Sequence, residues 1–286
     1  MIKKLLSATK RRSPLDIARR SATLLKRYGM TSKKLENNLQ EYISLAEDFN
    51  AGVTFPITAT TLKNNMDSIF SLKAKHVEWA IHGYIHVEYD NLAPQVIDTH
   101  IKKAISIFHE AKINPLGFRA PYLKFDSKKL RILKKNGLIY DSSRSYLIEN
   151  YPGLKKIVEY YNPMEKWKIT KTNGVYEIPV TLPDDEIFID RLGMRDKQLS
   201  KHLLEVVKKS LKAGVIPVLQ LHPERWQIFK GALEKVMLWA TENEIKMVTL
   251  YELTKTKANK VMCITGDIDI MKISDFAATR EQKWQA

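Results

Sequence analysis

The chain has 286 residues, of which 44% are hydrophobic and 28% are charged, and this balance is typical of a globular protein with a sizeable core. The composition excludes collagen-like, low-complexity and disordered chains, and the single cysteine, Cys263, excludes both an intramolecular disulfide and a zinc site built from cysteines. A formal net charge of +15 makes the protein strongly basic.

Most of the excess positive charge lies at the start of the chain. Residues 1–35 contain eleven Lys or Arg residues and one acid, Asp16. Such a segment can contact an anionic membrane, nucleic acid or an acidic polymer, and a solvated basic face is an equal alternative. Nucleic acid is disfavoured, because no recognised nucleic-acid-binding module is present and aromatic residues do not interleave with the basic ones.

The sequence contains no run of the roughly 18–20 apolar residues that a bilayer span needs. The apolar stretch after Lys4 is also too short for a signal peptide. We therefore expect a cytoplasmic protein, with peripheral membrane association through residues 1–35 as an option.

Helical periodicity covers the first 50 residues, and short β-branched and aromatic runs then alternate with amphipathic stretches. The predicted strands are 51–57, 77–81, 116–118, 138–140, 176–182, 214–221, 245–250 and 261–265. The helical stretches between them are 60–72, 94–111, 126–136, 197–212 and 227–243. This alternation predicts an α/β fold, a distorted TIM-like (β/α) barrel of seven to eight parallel strands behind a basic N-terminal helical segment. A doubly wound open sheet is the alternative.

Reactive side chains follow most of the predicted strands. They are His82, His86, Arg119, Asp141, Asp184, Asp185, His222, Asp267 and Asp269. In a parallel α/β protein the carboxyl ends of the strands share one face, so this placement predicts an active site there.

Two pairs of these residues suggest a metal site. His82 and His86 are four residues apart, which places both imidazoles on one side of a helical turn, although two surface histidines would show the same spacing. Asp267 and Asp269 would project to the same side of a strand, where a cation would relieve their repulsion. The alternative for the two acids is an ordinary loop at a strand end.

Three further residues each allow two interpretations. His222 ends an apolar run and is either a core histidine or a residue at the rim of a site. Arg119 follows a buried strand and needs an anionic partner, for which Asp267 is the candidate; otherwise it is a solvated loop residue. Trp226 either stacks on a sugar ring or lies in the core.

At these positions the chain resembles the polysaccharide deacetylase family, the metal-dependent hydrolases with a NodB-type homology domain. The similar segments are Ile81–His86 (IHGYIH), Arg119–Tyr122 (RAPY), Leu221–Pro223 (LHP), Gly52–Pro56 (GVTFP) and Tyr140–Ser143 (YDSS). They cover roughly residues 45–255 in the order found in the family.

One departure from the family concerns its first strand, which ends in a pair of aspartates. Residues 1–50 contain no such strand, whereas residues 261–269 resemble it, with Asp267 and Asp269 separated by one residue. We therefore hypothesise a circular permutation. The domain division that follows is a basic helical lead-in at 1–44, one barrel domain at 45–276 with 261–266 as its closing strand, and a tail at 277–286.

The resemblance implies hydrolysis of the acetamide of an N-acetylated sugar, in a polysaccharide or a lipid-linked precursor, through a metal-activated water. By this comparison His82, His86 and Asp269 bind one divalent metal, most readily zinc, and the roles of Asp267 and Asp269 could be exchanged. The implied catalytic residues are Asp267 as base, Arg119 as its orienting partner and His222 as acid. Tyr122, Asp185 and Trp226 are the candidate substrate contacts. The alternative is an inactive carbohydrate-binding barrel of the same family.

Overall fold

The computed structural model describes residues 27–145, 161 and 167–275. The strands in this part of the chain are β1 (Val53–Ile57), β2 (Val77–Ile81), β3 (Gly117–Phe118), β4 (Tyr140–Asp141), β5 (Thr170–Thr172), β6 (Val175–Glu177), β7 (Val218–Gln220), β8 (Lys246–Met247) and β9 (Val261–Thr265). Their order in the sheet is β5-β6-β4-β3-β2-β1-β9-β7, and β8 pairs with the start of β9. Every pairing is parallel except that of β5 with β6.

The central strands β1 and β9 are buried along their whole length. Their sequences, VTFPI and VMCIT, are nearly continuous apolar runs, as expected for parallel strands covered on both faces. Such runs were recognisable in the sequence, and the bounds observed for β2 and β9 are those predicted.

Strand register brings the reactive residues to one level. Ile57 pairs with Ile81, Ile81 with Phe118, and Phe118 with Asp141. The last residues of four neighbouring strands are therefore aligned, and the side chains that follow them emerge at the same edge of the sheet.

A side chain connects the two ends of the curled sheet. The Thr181 hydroxyl, beyond β6, accepts a hydrogen bond from the Val218 N–H of β7 at 2.8 Å and donates to the Ile216 carbonyl at 2.9 Å. In a closed barrel, backbone hydrogen bonds between two strands would join the sheet at this position. Here the Thr181 side chain makes the connection. The predicted α/β barrel-like fold is confirmed, as a curled sheet that is mostly parallel and has nine strands in the described residues, where seven to eight were predicted.

Helices cover the outside of the sheet. They are α1 (Lys33–Asp48), α2 (Ala59–Asn64), α3 (Met66–Phe70), α4 (Pro94–Glu110), α5 (Leu130–Lys135), α6 (Asp196–Lys212), α7 (Trp226–Glu242) and α8 (Leu250–Leu253), and Glu186–Arg191 form a π-helix. The strand predicted at 245–250 is shorter than expected. Thr249 and Glu252 form a capping box that starts α8 and so ends the extended segment.

Helix α1 packs on the barrel through an aromatic cluster. The Tyr42 ring stacks on Trp226 at 4.9 Å and meets the edges of Phe55 and Phe229 at 5.3 and 5.6 Å. Residue 44, the predicted domain boundary, lies inside this helix. Residues 1–26, most of the predicted lead-in, lie outside the described residues, so a membrane contact through residues 1–35 stays a prediction. None of the described helices combines the length and hydropathy that a bilayer span requires.

Candidate active site

The segment after β2 places both histidines of the H-x3-H pair. Gly83 has φ +81°, and a Cβ atom there would lie 2.8 Å from the Tyr89 ring, so this turn requires glycine. The Nδ1 atom of His82 donates a hydrogen bond to the Arg119 carbonyl oxygen at 2.9 Å. Because a carbonyl can only accept, Nδ1 carries a proton, and Nε2 of His82 is the nitrogen that would offer its lone pair to a metal.

Asp269 meets both histidines beyond the end of β9. Its Oδ1 lies 3.2 Å from His82 Nε2 and 3.3 Å from His86 Nε2. The chain reaches this position because Ile268 pairs with Ile57, and because the hydroxyls of Thr58 and Thr61 donate to the Asp269 carbonyl oxygen at 3.0 and 2.6 Å.

The three ligand atoms fit a divalent cation. They lie within 4.8 Å of one another, and Asp269 Oδ1 is buried without a hydrogen-bond partner in the described structure. Burial raises the pKa of Asp269, but positive charge on the imidazoles of His86 and His82 outweighs it and holds the pKa below its ordinary value. When the two rings are neutral and act as ligands, a bound cation would supply that positive charge instead. An ionised carboxylate beside two imidazole nitrogens is a common donor set for zinc.

Arg119 and Asp267 form a buried ion pair next to this cluster. Arg119 is fully buried, and its Nη1 donates to Asp267 Oδ1 at 2.7 Å and to Thr265 Oγ1 at 2.8 Å. Gln220 Nε2 donates to the other oxygen, Asp267 Oδ2, at 2.7 Å, and that oxygen lies 3.9 Å from His82 Nε2. Asp267 is thus the anionic partner that the sequence nominated for Arg119.

His222 is held by Asp185. Its Nδ1 donates to Asp185 Oδ1 at 2.6 Å, and its backbone N–H donates to Oδ2 at 2.9 Å. Burial lowers the pKa of His222, but the Asp185 carboxylate outweighs it and raises the pKa well above the ordinary value. Burial raises the pKa of Asp185, but His222 and Arg225 more than offset this and lower it. The two side chains form an ion pair.

Asp185 therefore needs a correction as a candidate substrate contact. Its side chain is fully buried, and His222 and Arg225 contact its oxygens, the latter at 3.4 Å. The position lets Asp185 orient His222 but gives a substrate no direct access to it.

Tyr122 lies at the mouth of the cluster. Its side chain is 51% exposed, and the edge of its ring packs against His86 at a centroid distance of 4.6 Å. The backbone here is left-handed, with φ +62° at Tyr122 and +54° at Leu123. Tyr122 is therefore accessible to a ligand, as the proposed contact requires.

Trp226 also needs a correction. It is only 2% exposed, its ring stacks on Tyr42, and its indole N–H donates to Glu41 at 2.7 Å. No ring face is free for a sugar, because α1 covers the position. Its nearness in sequence to His222 did not reveal that the side chain packs against α1.

We expect Trp226→Phe to lower the free energy of unfolding by about 1–3 kcal/mol, because it removes a hydrogen bond to a carboxylate and reduces the stacked area. Denaturant unfolding measures this loss. The affinity for substrate should not change. A large rise in KM without loss of stability would show that Trp226 contacts the substrate.

Gln220, which binds the second oxygen of Asp267, was not among the predicted site residues. A signal was present. Gln220 is the polar residue in an otherwise apolar strand, two positions before His222, and residues so spaced project to the same side of a strand.

A family comparison agrees with this geometry. Residues 24–140 match the family model for polysaccharide deacetylase, a segment that includes His82, His86, Arg119 and Tyr122. The resemblance to the polysaccharide deacetylase family is confirmed. Helix α1 and strands β1 to β3 lie entirely within the matched segment, whereas β9 and its aspartates lie outside it.

One curated protein is similar in sequence to part of this chain. The peptidoglycan deacetylase-like protein FGM2 of Gibberella zeae is 31% identical over 98 residues. The match covers 32% of this chain and 28% of the relative, so the chain spans less than a third of that protein's length.

Solved structures of polysaccharide deacetylase-type proteins share the fold. One from Mycobacterium smegmatis superposes with a TM-score of 0.55 at 18% identity and covers 78% of this chain and 75% of its own. One from Pseudomonas aeruginosa PAO1 gives a TM-score of 0.58 at 18% identity and covers 76% and 71%. At these identities the likeness concerns the fold alone.

Proposed function

We propose that the protein is a metal-dependent hydrolase that removes the acetyl group from an N-acetylated sugar. One observation carries the proposal: Asp269 Oδ1 lies within 3.3 Å of the Nε2 atoms of His82 and His86, beside a buried Arg119–Asp267 pair. A ligand triad, a positioned carboxylate and a protonated histidine are the parts that acetamide hydrolysis needs.

His82, His86 and Asp269 would hold the divalent ion. When bound, such an ion polarises the acetamide carbonyl and lowers the pKa of water, and zinc suits two imidazoles and one carboxylate. The hydrogen bond from His82 Nδ1 to the Arg119 carbonyl fixes the ring with Nε2 directed at the site.

Asp267 acts as the general base in this proposal. Arg119 binds Oδ1, and Gln220 directs Oδ2, which lies 3.9 Å from His82 Nε2. From there Oδ2 can take a proton from the attacking water. The opposite assignment of Asp267 and Asp269 is disfavoured, because both oxygens of Asp267 already accept hydrogen bonds.

His222 acts as the general acid. Asp185 keeps it protonated, and the proton on its Nε2 is the one available to the departing amine. The Nε2 atom lies 3.5 Å from Gln220 Nε2, the amide that binds the base, so acid and base flank one small region.

The backbone N–H of Tyr122 is the proposed donor to the oxyanion. The left-handed conformation of Tyr122 and the contact of its ring with His86 place this residue beside the ligand triad. Its exposed ring is the proposed contact with the substrate.

We further propose that β9 takes the place of the family's first strand, which is the circular permutation. The support is topological. Strand β9 lies between β1 and β7, and Asp267 and Asp269 follow it directly to meet the two histidines.

The substrate class follows from the resemblance and the named relative. We propose an N-acetylated polysaccharide or a lipid-linked precursor, with the basic residues of 1–35 favouring an anionic carrier or surface.

The test is acetate release from N-acetylglucosamine oligomers and from peptidoglycan fragments by the full chain. We expect acetate and an equal amount of new primary amine, loss of both after chelation, and recovery when Zn²⁺ is added back. Asp267→Asn is the matched control that should bind metal but release no acetate. Glycan binding without acetate release by the metal-loaded wild type would favour the carbohydrate-binding alternative.

A further inference from the structure

Three consecutive polar residues are buried at the end of β4 and directly after it: Asp141, Ser142 and Ser143. Two of them are adjacent serines that contact different parts of the site. The Ser142 hydroxyl accepts from Arg119 Nη2 at 2.9 Å, and its carbonyl accepts from Arg119 Nε at 3.1 Å. Ser142 thereby supports the guanidinium that binds the proposed base.

Ser143 contacts the other side of that loop. Its hydroxyl accepts a hydrogen bond from the Ala120 N–H at 2.8 Å and donates to Asp141 Oδ1. The hydroxyl has one proton and directs it to Asp141, so its lone pairs face Ala120. The Asp141 carboxylate therefore sets the direction in which Ser143 accepts.

The segment from Ala120 to Leu123 needs such support. Tyr122 and Leu123 are two successive non-glycine residues with positive φ, a sparsely populated conformation that persists only when the surroundings hold it. Within the segment, the Leu123 N–H donates to the Ala120 carbonyl at 3.0 Å. The bond from Ser143 holds the N–H of the same Ala120, so it fixes the start of the turn.

Asp141 is a carboxylic acid in a buried position. Burial raises the pKa of its carboxyl group to about 7, while hydrogen bonds from Ser143 oppose this. Two charged groups face it from neighbouring strands: Glu177 on β6 raises the pKa and Arg119 beyond β3 lowers it. A carboxyl group in this environment is costly, and the donors to its oxygens are the hydroxyl and the backbone N–H of Ser143.

We propose that Asp141 and Ser143 form a positioning pair that fixes the Ala120–Leu123 turn, so that the Tyr122 N–H faces the developing oxyanion. This inference rests on the proposed function and adds two positioning residues to it. The adjacent serines then have different roles. Ser142 supports the proposed base through Arg119, and Ser143 supports the oxyanion donor through Ala120.

The experiment compares Ser143→Ala with Ser142→Ala in the metal-loaded full chain. For Ser143→Ala we expect kcat to fall about 10- to 100-fold, with KM, metal content and the pH profile unchanged, since a small displacement of an oxyanion donor acts on the transition state. For Ser142→Ala we expect kcat to fall as well but amide exchange at Ala120 to stay unchanged, because Ser142 contacts the Arg119 guanidinium and not the turn.

Asp141 provides the conservative rescue. Asp141→Asn retains an oxygen that can accept from Ser143, so it should keep kcat within about threefold of wild type, whereas Asp141→Ala should resemble Ser143→Ala. A kcat for Ser143→Ala within twofold of wild type would overturn the inference. So would a fall in kcat that is accompanied by loss of metal.

A second readout does not depend on activity. Amide hydrogen exchange at Ala120 and Leu123 should accelerate at least tenfold in Ser143→Ala, with exchange in β1 and β2 unchanged. Unchanged exchange at Ala120 would refute the positioning pair. An inactive wild type with this exchange pattern would refute the proposed function and leave the support of the turn established.

Discussion

Replacing Asp269 by alanine is expected to reduce the divalent metal in the purified protein from about one equivalent per chain to almost none. Asp269 supplies the only carboxylate in the triad with His82 and His86, and its Oδ1 has no other partner within the described residues. Two imidazoles alone leave the ion with too few protein ligands and an uncompensated charge. Metal analysis by mass spectrometry after reconstitution with Zn²⁺ measures the change.

Asp267→Asn is the matched control for this prediction. The asparagine keeps the shape of the side chain and one oxygen for Arg119, so the metal should remain while acetate release is lost. If Asp269→Ala retains the metal and Asp267→Asn loses it, Asp267 is the metal ligand and Asp269 the base. Metal retained by both variants would place the binding site elsewhere.

The second large effect concerns His222. We expect His222→Ala to lower kcat by about 10²–10⁴-fold, because it removes the proposed proton donor to the leaving amine. His109, an exposed histidine on α4, provides the control, and His109→Ala should leave kcat unchanged. A His222→Ala variant with wild-type turnover would show that the acid has been wrongly assigned.

The ion pair with Asp185 gives this acid a pH signature. Because Asp185 raises the pKa of His222, the imidazole stays protonated at neutral pH, and kcat/KM should fall only as the pH rises through that raised value. Asp185→Asn removes the carboxylate and should move the alkaline limb to lower pH. If the alkaline limb of Asp185→Asn stays at the wild-type pH, the ionisation that it reports does not belong to His222.

The same pair contributes to stability over a defined pH range. His222 has a higher pKa in the folded than in the unfolded protein, where the pKa of histidine is about 6.5. Its contribution is complete below that unfolded pKa and is lost as the pH rises through the folded pKa.

Much of the sheet could be predicted from the sequence because its strands carry strong local signals. VEWAI and VMCIT are short β-branched runs bounded by polar residues, and they became β2 and β9 with the predicted bounds. Parallel register then brings the residues that follow them to one edge, which is why His82 and Asp269 could be grouped although 187 positions separate them.

The failures concern the directions of side chains, which depend on distant partners. Trp226 looked like a rim residue because it follows His222, but Glu41 and Tyr42 of α1 hold it in the core. Asp185 was predicted to contact the substrate, yet it is fully buried and is bound by His222, 37 positions away. A local sequence pattern does not predict contacts between residues that are so far apart in the chain.

The place of β9 in the sheet has a consequence for how the protein becomes complete during synthesis. The strand that separates β1 from β7 is the last one of the described chain to leave the ribosome, and Asp269 follows it. Until then β1 and β7 are open edges, and pairing between distant segments is slow. A nascent chain thus exposes its histidine pair long before the aspartate arrives, and chains interrupted before residue 261 lack both the central strand and the carboxylates. The sheet and the proposed metal triad are therefore completed in the same step.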